Sequence, residues 1–285
     1  MPDLSKTPFV MQEEEFEAFF RLAEQKPWLK ERNRDEAVRH LLELCEYRGE
    51  VNLLLEMINR LKLIDTLEIR NFVDRTLEKI YEIPDFTHKN IAFVPKYKNN
   101  GTDSSLWILQ ILQNSFDPKS KLTKQKNVYT RARDALENEK IERIVLVDDF
   151  NGTGESLSEY VKWIDGECDR TGRARVKVFA YFYCAMEEAI AIKQPASLEV
   201  CDVENILKKG ISGYNSGSDL TSKIHLMKHL EGNIKKLNPI FSLGFQQSET
   251  LYACDGVSTP NNVFPIFWKR NIGSGAFFRP LLNRG

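Results

Sequence analysis

The chain has 285 residues and a mass of 33.0 kDa, enough to build a core without disulfide or metal staples, as one large domain or a domain with an appendage. With 42% hydrophobic, 11% aromatic and 28% charged residues and a mean hydropathy of -0.40, the composition excludes a disordered chain. Forty basic residues against 41 acidic ones leave a net charge of -1, which excludes a global attraction to nucleic acid or anionic lipid and demands a local patch for either.

The opening segment, MPDLSKTPFVMQEEEFEAFF, carries neither a basic leader nor a small-residue cleavage site, and no apolar run approaches the roughly 18 residues that span a bilayer. A cytoplasmic protein with no membrane partner is expected. Apolar residues then recur at intervals of three and four, which predicts four helices. They run through Phe16, Phe19, Phe20 and Ala23, then Ala37, Val38, Leu41, Leu42 and Cys45, then Val51, Leu54, Leu55, Ile58 and Leu61, and last Ile69, Phe72, Val73, Leu77 and Ile80. Asn33 with Glu36, and Asp65 with Glu68, read as caps of the second and fourth. Pro84 ends the series. Residues 1–88 hold 13 Lys and Arg against 19 Asp and Glu, a balance that disfavours a DNA-reading helix. The reading is a helical N-terminal region over 1–87, a four-helix bundle with Phe16, Phe19, Phe20 and Trp28 packing between it and a following sheet.

From His88 onward short apolar runs alternate with helical stretches, the pattern of a parallel sheet flanked by helices. Residues 91–94 (IAFV) form the first predicted strand, and Ser104 or Ser105 caps the helix LWILQILQ after the loop PKYKNNGTDSS. From Pro118 to Arg133 the chain carries Lys119, Lys121, Lys124, Lys126, Arg131 and Arg133 and no acid, which suits either a mobile anion-meeting loop or a plain solvated stretch. A helix at 132–139, a strand at 143–148, a helix from about 155 to 167 and a strand at 176–184 fit a βαβ crossover. A short helix around 186–192, a strand at 198–201, a helix through Leu220, Ile224, Met227, Leu230 and Ile234, and strands and loops after Pro239 complete the chain. His225 and His229 are spaced as a metal pair on one helix face, with no third ligand evident nearby in sequence. The five cysteines are odd in number and contain no C-x-x-C, so they are expected as reduced core residues.

One segment carries chemistry: IERIVLVDDFNGTGESLSEYVKWI, residues 141–164. An apolar strand ends in Asp148 and Asp149, followed by a glycine-containing turn and a helix opening at Glu155 or Ser156. In open α/β sheets ligands sit beyond the carboxyl ends of strands, where a glycine-rich turn into a helix points backbone N–H groups at a phosphate. Gly152 and Gly154 permit close backbone approach, and Thr153 and Ser156 offer hydroxyls. Acids immediately upstream would repel a phosphate at the same spot, so they suit sugar hydroxyls a few ångströms away. Two other readings of the acid pair stand beside this one: direct Mg²⁺ binding, and capping of the next turn. No nucleophile elbow, Walker A or dinucleotide G-x-G-x-x-G is present.

Residues 144–156 resemble the 5-phosphoribosyl-1-pyrophosphate (PRPP) signature of type I phosphoribosyltransferases: four apolar residues, two acids, Phe150-Asn151-Gly152, then Thr153-Gly154-Glu155-Ser156. The resemblance implies an α/β fold of that type, a parallel sheet flanked by helices, over residues 88–285, with a divergent hood from about 197. It implies that Asp148 and Asp149 hold the ribose 2′- and 3′-hydroxyls and that Asn151, Gly152, Thr153, Gly154, Glu155 and Ser156 lie around the 5′-phosphate. The loop after the first strand would meet pyrophosphate through Lys96 or Lys98, and the basic segment 118–133 falls where the family has its flexible catalytic loop. Glu155 departs from the pattern, since an acid beside a phosphate weakens attraction unless it points away. The C-terminal run with Gly244-Phe245, Thr259-Pro260-Asn261-Asn262 and Pro265-Ile266-Phe267-Trp268, and the tail Phe278-Arg279-Pro280-Leu281, is similar to phosphoribosyltransferase-like proteins of bacterial conflict and anti-phage islands, some encoded beside retron reverse transcriptases.

On that resemblance the expected activity is glycosyl transfer or hydrolysis at the anomeric carbon of PRPP or a related nucleotide, with substrate-bound Mg²⁺ as cofactor. Asn261, Asn262 and Trp268 are the acceptor or hood candidates, the amides by hydrogen bonding and the indole by stacking. Expected partners are the nucleotide and a defence-system protein or nucleoprotein, with a homodimer as the assembly. The competing expectation is a PRPP- or nucleotide-sensing subunit that keeps the pocket, has lost transfer and acts through its partners.

Overall fold

The computed structural model describes residues 13–96, 104–272 and 278–284. The chain divides into two compact units, one of residues 1–63 with 208–285 and the other of residues 64–207. This differs from the expected boundaries at 87 and about 197.

The first unit opens with helices α1 (Glu13–Gln25), α2 (Arg34–Leu42) and α3 (Arg48–Arg60) and the short strand β1 (Lys62–Ile64). Helix α1 is rotated from the expected face. Phe16 and Phe20 are 50% and 57% exposed and Leu22 is buried, while Ala23 is buried as expected. Glu15 is admitted to the buried face because Arg48 pairs with it at 2.6 Å. Asn33 does not cap α2 with its side chain; its left-handed backbone, φ 56°, makes the turn instead. Before α3 the buried Glu50 carboxylate accepts from the N–H groups of Glu46 and Tyr47 at 2.8 and 3.2 Å.

The second unit begins with α4 (Thr66–Tyr81), which Asp65 and Glu68 start with a reciprocal capping box. It continues with β2 (Ile91–Phe93), α5 (Ser104–Asn114), α6 (Lys124–Asn127), α7 (Ala132–Leu136), β3 (Arg143–Asn151), α8 (Glu155–Thr171), β4 (Lys177–Met186), α9 (Glu187–Ala191) and β5 (Leu198–Leu207). The strands form a parallel sheet in the order β2-β3-β4-β5. All nine residues of β3 are buried, as a central strand covered on both faces requires. Alternate residues Ile144, Leu146, Val178, Ala180 and Phe182 pack with α7 and α8. Helix α4 lies against β4 and α5. Phe72 meets Tyr183 edge-on, the Tyr183 hydroxyl donates to Glu68, and Arg75 forks onto Glu204 of β5. That packing is why the fourth helix belongs with the sheet rather than with the three before it. Strand β5 stays paired with β4 to Leu207, past one register shift at Val178/Phe179, which carries the sheet about ten residues past the expected hood boundary at about 197.

The basic stretch 118–133 is folded rather than loose. Val128 bridges Phe93 in parallel, Tyr129 N–H donates to Phe93 O, and the buried Asn127 amide donates to the carbonyls of His88 and Ile91. The segment therefore extends the sheet on the free edge of β2.

The chain returns to the first unit through α10 (Gly217–Glu231) and β6 (Tyr252–Cys254), which pairs with β1. Helix α10 packs on α3, and its apolar residues share one core with α2, α3 and the C-terminal tail. All five cysteines are free, and four of them are buried. No helix among the described residues is long and apolar enough to cross a membrane.

Candidate active site

Strand β2 is short, and its last ladder contact is Val94 N–H to Val145 O. Strand β3 runs on through Asn151, paired only with β4, where Asp148 faces Phe182 and Asn151 faces Ala185. The strand expected to end at the acids runs three residues past Asp148, so both acids are within it, and they stand past the end of β2. After β2 the chain leaves toward Val128 on one side; after β3 it leaves through α8 toward β4 on the other. The two connections diverge between β2 and β3, which makes this a topological switch point, the place where open α/β sheets leave a crevice at their carboxyl edge.

Asp148 and Asp149 are both 2% exposed. Asp148 Oδ1 accepts from the Ser104 hydroxyl at 2.9 Å and from Asp149 N–H at 3.0 Å, and its Oδ2 lies 2.8 Å from Lys96 Nζ. The ammonium of Lys96 also donates to Phe150 O at 3.3 Å and lies 5.0 Å from the centroid of the Phe182 ring. Burial pushes the Asp149 carboxyl up to about 7, and the neighbouring Asp148 charge pushes the same way. The Ser104 hydroxyl and the Lys96 charge oppose the shift. Burial and the Asp148 charge thus favour the neutral form of Asp149, and a hydroxyl donor or a cation arriving there would favour its charged form.

The turn that follows has Gly152 and Thr153 half-buried, Gly154 buried, and Glu155 and Ser156 exposed at the start of α8. Gly154 is the N-cap in left-handed geometry, φ 78°, and α8 has no side-chain cap. Its first N–H groups thus project at the same edge of the sheet as the acids, with the positive end of a 17-residue helix behind them.

The sequence-predicted residues Lys96, Asp148, Asp149 and 151–156 come together here. Lys98 lies outside the described residues. Lys96 is in the site, but its ammonium faces Asp148 rather than the solvent. Ser104, with Ser105 a cap candidate in the sequence, opens α5 and aims its hydroxyl at Asp148. It also passed over Tyr160 of α8, whose hydroxyl donates to Pro95 O at 2.8 Å and fixes the turn that carries Lys96. A tyrosine on a buried helix face gives no signal for that task in sequence.

The sequence profile of the PRTase-CE family matches residues 28–284. The chain belongs to the PRTase-CE family. It is a phosphoribosyltransferase-like protein, and the parallel α/β sheet flanked by helices is the fold expected of it. No curated protein matches the chain. Among solved structures, a hypoxanthine-guanine-xanthine phosphoribosyltransferase is 9% identical with a TM-score of 0.31, over 53% of this chain and 82% of that one. A hypothetical protein from Neisseria gonorrhoeae with bound ppGpp is 11% identical with a TM-score of 0.35, over 59% of this chain and 97% of that one.

The C-terminal candidates of this PRTase-CE chain make structural contacts in their own unit. Asn261, Asn262 and Trp268 belong to the other compact unit, not to the one that holds the acid pair. Asn261 O accepts from Phe245 N–H, and Asn262 O accepts from Ser248 Oγ and Thr250 N–H, so this turn holds the loop 243–250. The Asn262 side-chain nitrogen is buried with no partner among the described residues. Trp268 is 6% exposed, donates its indole N–H to Val263 O at 2.9 Å, and has Lys269 and Arg284 over its ring. That arrangement serves packing and leaves little ring face for a ligand to stack on. His229 Nδ1 lies 2.6 Å from the carboxylate of the buried Glu50.

Proposed function

We propose that the crevice between β2 and β3 binds PRPP or a related ribose-5-phosphate nucleotide and supports glycosyl transfer or hydrolysis at its anomeric carbon. The single observation that carries this reading is a buried, partner-poised acid pair at a topological switch point, directly before a glycine turn and an uncapped helix. Asp148 and Asp149 accept the ribose hydroxyls, and residues 152–156 receive the 5′-phosphate on backbone N–H groups. Lys96 exchanges Asp148 for the pyrophosphate as ligand enters. In the reaction the bond from the anomeric carbon to the pyrophosphate oxygen breaks, its electron pair leaving with pyrophosphate. The acceptor, or water, forms the new bond and loses a proton. Catalysis rests on positioning and on charge at the leaving group, because the transition state is oxocarbenium-like.

Among the described residues no group of three or more His, Cys, Asp or Glu side chains is arranged to hold a metal. The donor set fits Mg²⁺ bound through substrate phosphates with one or two carboxylates, and when bound it would neutralise pyrophosphate charge. A role in bacterial anti-phage defence, with a protein or nucleoprotein partner and a homodimeric assembly, accompanies this reading on the strength of the family resemblance.

A second reading, a nucleotide sensor without transfer, is favoured by one observation: Asp148 is already satisfied by Lys96, Ser104 and Asp149 N–H. Calorimetric titration of PRPP with Mg²⁺, with pyrophosphate assayed in the recovered cell, separates the two. Asp149→Asn is expected to lower affinity or turnover at least about a hundredfold with the circular dichroism spectrum retained and the fold no less stable. Unchanged binding in that variant would remove the acid pair from the site, and binding without pyrophosphate release would make the protein a sensor.

A further inference from the structure

The unit of residues 1–63 and 208–285 contains a cleft of about 630 Å³ that is far from neutral. Four arginines line it, Arg32, Arg34, Arg270 and Arg279, against one acid, Asp255. In a chain whose net charge is -1 this is a concentrated local excess.

The compensation available to these cations is incomplete. Arg34, 7% exposed, forms a charged hydrogen bond with Asp255 Oδ1 and donates to Trp28 O at 3.3 Å. Arg32 shares that same carboxylate oxygen from 3.4 Å. Arg279 reaches Glu36 only at 3.4 Å, and the hydrogen bond of Arg270 goes to the neutral amide oxygen of Asn283 at 3.2 Å. One buried guanidinium is thus fixed in the wall, and three more exposed ones stand around it with weak or neutral partners.

The walls are held in place. Thr259 donates its N–H and its hydroxyl to Asn283 O at 2.9 and 2.6 Å, tying the turn after β6 to the C-terminal tail. Arg284 adds a hydrogen bond to Thr259 O at 2.9 Å. Ala253, Leu281 and Leu282 give the cleft an apolar floor, and all three are buried. A concave, pre-formed site with guanidinium forks above an apolar floor has the chemistry of a phosphate-ester pocket, since Arg recognises phosphate oxygens in pairs and keeps its charge at any physiological pH. The volume suits a small molecule rather than a duplex.

We propose that this cleft is a second anion site, taking the diphosphate or triphosphate group of a small phosphorylated molecule. The site is separate from the acid pair in both residues and chemistry, so either can fail without the other.

The test uses the full chain and inorganic pyrophosphate, followed by hydrogen exchange and titration, in the wild type and an Arg32→Gln/Arg270→Gln variant. Both side chains are exposed, so the melting temperature without ligand should be unchanged. Pyrophosphate is expected to slow exchange at 255–259 and 279–283 in the wild type. Affinity should fall at least about tenfold in the variant, and orthophosphate should bind more weakly than pyrophosphate. Protection at 151–156 reports separately on the acid-pair crevice. Absence of protection at 255–259 and 279–283 at millimolar pyrophosphate, or equal affinity in the variant, would overturn the proposal. So would a single-stranded oligonucleotide that binds through the same arginines more tightly than any nucleoside triphosphate, because the patch would then be a nucleic-acid surface.

Discussion

In the unit of residues 1–63 and 208–285, Glu50, Glu231 and Glu249 are buried, and each gives its carboxylate to backbone N–H groups. Glu50 accepts from Glu46 and Tyr47, Glu231 from Leu243, and Glu249 from Ile211 and Ser212. In the unit of residues 64–207, Asp148 and Asp149 are buried as deeply, yet each has the other as a neighbour. Glu231 and Asp149 are both pushed up to about 7, in each case by burial first. A raised carboxyl therefore does not mark the site. What separates the regions is the partner set: backbone donors that need an acceptor to complete the fold, against a second acid that raises the cost of ionisation and makes an incoming donor or cation welcome.

The sharpest way to break this comparison on stability is Glu249→Ala. It leaves the N–H groups of Ile211 and Ser212 without their acceptor at 2.9 and 2.7 Å, and should cost on the order of 3 kcal/mol in urea unfolding. Affinity at the acid pair should be unchanged. A loss below about 1 kcal/mol would show that these buried acids are not structural staples.

The pH dependence sharpens it further. The Asp149 carboxyl is raised in the folded chain to about 7, above its unfolded value near 3.9. Its contribution is therefore fully present below about pH 4 and lost as pH rises toward 7. Asp149→Asn removes this loss, so the variant should gain on the wild type by about 2 kcal/mol between pH 5 and pH 8 in parallel urea titrations. Glu231→Gln should show a gain of the same sign, because burial acts on it in the same direction. Only ligand affinity tells the two apart. PRPP binding should strengthen as pH rises through 7 in the wild type and in Glu231→Gln, and should lose that dependence in Asp149→Asn. A dependence retained in Asp149→Asn would move the titrating group elsewhere.

Much of the sheet unit was legible in sequence because its signals are local. An apolar run, two acids and a glycine turn in contiguous residues located β3, the turn after it and α8, and Asp65 with Glu68 located the start of α4. The unit boundaries were not legible. Helix α4 has the same three-and-four spacing as α3, and only its contacts with Tyr183, Glu204 and Asp202 assign it to the sheet. The backbone carbonyls of the Asn261-Asn262 turn hold the loop 243–250, a contact that the side-chain types give no sign of. Ser104 and Lys96 converge on Asp148 from segments 44 and 52 residues away, a distance over which spacing carries no information.

Gly154 brings the two kinds of reading together at one atom. The motif assigns it to phosphate approach, but its φ is 78°, and a Cβ there would stand 2.8 Å from Ala189 O and 3.1 Å from Ile192 Cδ1. Both backbone strain and the close pass of α9 demand glycine before any ligand is considered. Gly154→Ala should therefore cost about 1–2 kcal/mol, a fall of several degrees in melting temperature, even with no ligand present. If the variant melts like the wild type while phosphate affinity drops, the glycine serves the ligand. If both fall together, the packing against Ala189 is what shapes the turn, and the phosphate cradle is a consequence of how β3 hands the chain to α8.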